Sequence, residues 1–179
     1  MKKILLAALV LSSIVSCKKT ATPADENEHE SVNKIEFLFS RTGGSTTSFI
    51  TEDPDGDGGN PPSRIDTIKL VAGATYTLDV KTYNLVNGVA KDITSTISSQ
   101  ASSHELFFIP TGVTLTITKN DKDRNNFPVG LNSTWVVGSA ATGSIRFKVM
   151  HKPAGIKGPN DAPTVGHSDI DLNIPVKLQ

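Results

Sequence analysis

The chain has 179 residues, with 18 basic and 18 acidic side chains and a formal net charge of +0. That balance, with no basic run or stripe, excludes a nucleic-acid partner bound through its phosphates. A single cysteine leaves no intrachain disulfide, so stability has to come from packing or from a bound ion.

Lys2-Lys3 is followed by an apolar run from Ile4 to Val15. The run is shorter than the ~20 residues that span a bilayer and has the layout of a secretory signal. It ends Ile14-Val15-Ser16-Cys17, and Cys17 is the only cysteine. This ending resembles the lipobox of bacterial lipoproteins. The resemblance implies cleavage before Cys17 and lipidation of Cys17. Each buried CH₂ contributes ~0.8 kcal/mol, so the acyl chains of such a residue form a stable anchor. On this reading residues 1–16 are a signal peptide. Residues 17–33 are the lipidated cysteine and a polar tether, which holds His29 and the cluster Asp25, Glu26, Glu28 and Glu30. Residues 34–179 are a single domain, large enough to bury a core.

Period-2 alternation begins at once. Ile35, Phe37 and Phe39 share one parity, a half-buried strand. Gly43-Gly44 marks a turn, and the Thr-rich 46–51 a second strand. Residues 65–71 read as one strand. Tyr76, Leu78 and Val80 form another, closed by the turn signal Asn87-Gly88. Asp92 followed by Ile93, Ile97 and Ala101 at spacing four predicts one short helix. Further strands are predicted over 105–109, 113–118, 133–137 and 145–149. A Gly- and Pro-rich loop at 153–166 precedes a last strand with Ile170, Leu172, Ile174, Val176 and Leu178 on one face. Pro175 on the other parity predicts an edge strand there. Eight or nine short strands with one helix read as an all-β, immunoglobulin-like antiparallel sandwich. There is no βαβ rhythm.

Two loops carry candidate ligands. Asp53, Asp55 and Asp57, with Gly58 next, repeat the front half of a calcium-binding loop. Alternate oxygens in a curled loop suit Ca²⁺, a hard cation that takes six to eight oxygen ligands. The twelfth position is Arg64 rather than Glu, so the bidentate ligand of that pattern is missing. Asp121, Asp123 and Asn125 repeat the spacing. Calcium is the candidate cofactor at both. The competing reading is that Asp, Asn, Gly and Pro are turn residues. His104, His151 and His167 form an alternative set for a transition metal, which requires the fold to bring them together. No nucleophile elbow, zinc-helix motif or phosphate loop occurs, so no enzyme is expected.

From Cys17 onward the chain resembles small cell-envelope lipoproteins of the Bacteroidota type. The residues that carry this are the lipobox, Asp53 to Pro62, Asp66-Thr67-Ile68 with Gly73-x-Thr75-Tyr76, and Asp169-Ile170-Asp171. Some members of that group carry a periplasmic-binding-fold label, which this strand pattern does not support. The resemblance implies an outer-membrane location, periplasmic or surface-facing. The expected function is a non-enzymatic binding or accessory module, calcium-stabilised, serving an outer-membrane receptor or transporter. Alternatives are a structural or adhesive component that binds glycan or protein, and a transition-metal-binding lipoprotein.

Overall fold

The computed structural model describes residues 31–41, 43–56, 59–153 and 155–179. Cys17, the signal and tether residues before Ser31, and Asp57 lie outside the described residues.

The molecule is an all-β sandwich. One sheet has seven strands: β1 (Lys34–Arg41), β2 (Thr46–Glu52), β3 (Arg64–Ile65), β5 (Thr75–Val86), β6 (Val89–Asp92), β8 (Leu115–Lys119) and β9 (Asn132–Val137). Its path runs β3-β2-β1-β5-β9-β8, with β6 on β5. The other sheet is β4-β11-β10-β7, where β4 is Ile68–Leu70, β7 is His104–Thr111, β10 is Ala141–His151 and β11 is His167–Leu178. The helix α1 (Thr94–Ser99) and a 3₁₀ turn at Ala101–Ser103 carry the chain from β6 to β7.

The alternating residues meet between the sheets. Ile35, Phe37 and Phe39 of β1 and Leu78 and Val80 of β5 are buried against Ile145, Phe147 and Val149 of β10 and the even-numbered face of β11. Phe39 is an aromatic hub, with its ring edge-on to Trp135 at 5.0 Å and to Phe49 and Tyr76 at 6.0 Å each. Phe37 meets Phe147 edge-on at 5.0 Å and so joins the two sheets. The Trp135 indole N–H is kept satisfied in the core by donating to Ser133 Oγ at 2.8 Å.

Several elements differ from the sequence expectation. The predicted strand over 65–71 divides into β3 and β4, which belong to different sheets. Asp66 sits at the crossing, where its carboxylate accepts the Ile50 amide and takes both arms of Arg64. β6 is exposed along its whole length, so it has no alternation to read. The last strand is interior: β11 lies between β10 and β4, and the β4 pairing is parallel. Pro175 is tolerated because that pairing begins only at Val176. The fold also starts before residue 34. Val32 is buried, and Asn33 bonds to Leu85 through both its side-chain oxygen and nitrogen.

The two ends of the sandwich are unlike. The turns at 71–74, 112–114 and 138–140 lie together at one end with the C-terminus, tied by Ala72 N–H to Gln179 O and Gly73 N–H to Gly138 O. The connections over 53–63, 93–103, 120–131 and 152–166 lie at the other end, as does the place where the chain comes in at Ser31.

Candidate functional site

At the loop end, β7 begins with His104-Glu105-Leu106-Phe107, all four buried. Neither face of this stretch meets water. His104 follows the inward parity of Leu106, while Glu105 and Phe107 face the other way and are covered by loops.

The covered outer face holds a buried charge network. Glu105 accepts Lys119 Nζ at 2.6 Å through Oε1 and Lys152 Nζ at 2.5 Å through Oε2. Lys152, fully buried at 0% exposure, also donates to Asp161 Oδ2 at 2.8 Å. Both ammonium groups lie over the Phe107 ring, at 4.1 Å and 4.9 Å. Nearby, Lys157 Nζ donates to Ala101 O at 2.6 Å and lies 3.3 Å from Asp123 Oδ2. Burial pushes Lys119 and Lys157 below the ordinary lysine value, and their carboxylate partners work against that fall. Burial pushes Asp161 up, but Lys152 and the Gly158 amide more than offset it and hold it low.

The inward rim holds His104, His151 and Asp169. His151 is cross-strand from His104 on one side and from His167 on the other, so β7, β10 and β11 bring the three histidines into one row. The His104 and His151 rings stack 4.8 Å apart at an interplanar angle of 7°. His167, at the outer position, is exposed. The alternation His167, Asp169, Asp171 predicts one shared strand face; the structure corrects this. A register shift between Val149 and Met150 takes the pairing from Ile170 to Ser168, so Asp169 stands in the bulge. The bulge re-aims it, as bulges do, and Asp169 Oδ2 lies 3.7 Å from His104 Nε2. Asp171 instead faces outward and takes a two-pronged bond from Arg146. Gly166, at φ +95°, lets β11 start this close; a Cβ there would lie 2.3 Å from His151 O.

His104 Nδ1 is 3.1 Å from Gln100 O, and since a carbonyl only accepts, Nδ1 carries the hydrogen. Nε2 has no hydrogen-bond partner among the described residues. Burial pushes His104 down to about 4; the Gln100 bond opposes this, and His151 and the Lys157 charge push the same way. The imidazole is neutral at pH 7.

The acidic loops are placed as follows. Asp121 accepts the Gly130 and Leu131 amides through its two oxygens, at 2.8 and 2.9 Å. Asp123 Oδ1 accepts the Asn125 and Phe127 amides. Burial pushes Asp123 up, but these amides and Lys157 more than offset it. The Asn125 side chain is exposed. These bonds brace the turn from 121 to 131 and are what the turn reading requires. In the first loop Asp53 is buried and its carbonyl accepts the Gly56 amide, while Asp55 Oδ2 accepts both the amide and the side-chain nitrogen of Asn60. Among the described residues no three His, Cys, Asp or Glu side chains are grouped to hold a metal ion.

Sequence reasoning missed Glu105, Lys119, Lys152, Lys157 and Asp161. A weak signal existed: Glu105 sits inside an otherwise apolar run, and Lys152 directly follows a strong strand. Their burial depends on the loop that covers them, which no local pattern shows.

Comparison with known proteins gave no match among family models, curated proteins or solved structures. Among the described residues no helix is long and apolar enough to cross a membrane.

Proposed function

We propose that the chain is a lipid-anchored, non-enzymatic binding module of the bacterial cell envelope, and that its working end is the loop end of the sandwich. The observation that carries this is the buried polar cluster. Taking Glu105, Asp123 and Lys152 out of water costs several kcal/mol per charge before pairing, desolvated titratable groups of this kind cluster at functional sites, and the neutral His104 is buried beside them. All of them lie at one end, under the long connections, and the chain comes in at that end. A Cys17 anchor would therefore hold the working end toward the membrane, where an outer-membrane receptor or transporter would meet it.

A glycan-binding adhesive is the weaker reading. Sugar platforms expose aromatic rings, and every Phe, Tyr and Trp of this chain is buried or half-buried. Calcium at Asp53, Asp55 and Asp57 belongs to this proposal as a structural aid. It would raise the thermal midpoint in millimolar Ca²⁺ over EGTA, and Asp55→Ala would remove the rise.

The test uses photo-cross-linkable residues placed in the full chain in cells. One stands at Val89, at the loop end, and one at Thr142, at the far end. Adducts to a membrane protein from position 89, and their loss in a Cys17→Ala chain, are the expected outcome. Adducts from position 142 alone would refute the orientation. Failure of an alkyne-fatty-acid label to enter the wild-type chain would refute the anchor.

A further inference from the structure

We propose that the tip of the β5–β6 hairpin seats on the lipid surface, at the level of the headgroups, and so fixes how the domain stands on its membrane. The proposal deepens the lipid-anchored reading above and rests on it. It starts from two side chains that stand outside the core. Val86 is 57% exposed and Val89 71%. They are cross-strand partners and flank the turn Asn87-Gly88, both of whose residues have positive φ. Cross-strand partners share a face, so the two valines lie side by side. On β5 that face is the even-numbered one, which buries Tyr76, Leu78, Val80 and Thr82. The last partner of β1 on β5 is Tyr83. Beyond it the hairpin runs on past the register of β1, and its core-side face comes out into the open with two valines on it.

Strand propensity alone does not ask for valine here. At other exposed positions of the same sheet the β-branched residue is threonine, as at Thr75, Thr77, Thr116 and Thr118. Threonine at the tip would hold the strands as well and leave less apolar surface in water. Charge points the same way. No charged residue occurs from Thr82 to Ala90, and Lys81 and Lys91 bound that stretch. Lys91 is exposed and, two residues from Val89, shares the valine face. Asp92, the one carboxylate of β6, is on the opposite face and accepts the Thr94 amide at 2.8 Å. An apolar tip with a lysine one step behind it suits the boundary between acyl chains and anionic headgroups. The valines enter, and the ammonium stays among the headgroups.

What singles out lipid as the occupant is the place where the chain comes in. The described chain begins at Ser31. Two residues on, the Asn33 N–H donates to Tyr83 O at 3.1 Å. The Asn33 side chain bonds both backbone groups of Leu85, the residue before Val86. A membrane anchor at Cys17 therefore pulls at the root of this hairpin and at no other. The tether keeps the tip at a high local concentration of lipid, so a contact too weak to recruit a free domain is enough to orient a tethered one.

The experiment uses the lipidated full chain in protein-free vesicles of equal parts phosphatidylcholine and phosphatidylglycerol. A lipidated Cys17 has no free thiol, so Val89→Cys and Thr142→Cys each place one environment-sensitive fluorophore, the first at the tip and the second at the far end. A blue shift at position 89 and quenching there by a bromine-labelled lipid, with neither at position 142, are the expected results. Val86→Thr keeps the β-branched shape and should lower the ratio of seated to free tip about fivefold. Near-ultraviolet circular dichroism of buried Trp135 checks that each variant is folded. Quenching at position 89 no greater than at 142, or unaltered by Val86→Thr, would overturn the proposal. A tip that is unquenched in these vesicles but gives protein adducts in cells belongs to the membrane protein, and the lipid contact is then refuted. Each of these failures leaves the fatty-acid label at Cys17 in place and the anchor standing. A wild-type chain that takes up no label would overturn the anchor and this proposal together.

Discussion

Glu105 shows how one side chain can be indispensable without being a net source of stability. Its two oxygens each hold a lysine, and Lys152 has no water to turn to. Glu105→Gln should lower stability by about 3 kcal/mol, because it strips the main counter-charge from a buried ammonium. Arg146→Ala is the contrast. Its guanidinium is 58% exposed, so losing the bond to Asp171 should cost no more than about 1 kcal/mol. Denaturant titration of both variants checks the pair. Tyr83 yields a pH prediction. Burial, then the bond to Glu36 and its charge, push the phenol up to about 12. The folded state therefore favours the neutral phenol. Its contribution is full below pH ~10, the unfolded value, and is lost as pH rises toward the folded one. Alkaline absorbance titration should show one tyrosine ionising late, and Tyr83→Phe should remove that step.

At the scale of elements, the bulge in β11 decides the site. Without it Asp169 would share the outward face of Asp171, and His104 would have no carboxylate beside it. Gly166 is the hinge that lets β11 begin against β10. Gly166→Ala places a side chain at positive φ and a Cβ against the His151 carbonyl. The conformational term alone is about 1–2 kcal/mol, and the clash adds to it. A lower thermal midpoint than wild type is the expected result. Gly73→Ala, also at positive φ but with open space around its Cβ, should lower the midpoint by less.

At the scale of the molecule, the unlike ends of the sandwich matter most. The short connections 71–74, 112–114 and 138–140 each pass from one sheet to the other at the C-terminal end. The long connections collect at the other end, beside Ser31. From Cys17 to Ser31 an extended chain spans at most ~50 Å, so the proposed anchor would bias which end faces the bilayer. In vesicles carrying the lipidated chain, Lys91 at the loop end should react more slowly with a water-soluble amine reagent than Lys69 and Lys177 at the far end. All three are exposed in the domain itself. Equal rates measured by mass spectrometry would refute the bias.

The amino-acid sequence determined the strands of β1, β5, β10 and β11, because period-2 alternation is local and each of these strands buries one face. It determined the helix between β6 and β7 through Ile93 and Ile97, and it placed the acidic loops between strands. Only the tertiary structure decided which strands share a sheet, that β4 runs parallel to β11, and that residues 65–71 divide between two sheets. Those outcomes depend on partners far along the chain. The same reason hid the site. Lys152 reads as a solvated strand end until the 153–166 loop covers it, and Asp169 reads as a member of the Asp171 face until pairing with β10 forces the bulge. The three histidines could be named from the sequence; that they share a row across β7, β10 and β11, with one exposed and two buried, came from the register alone.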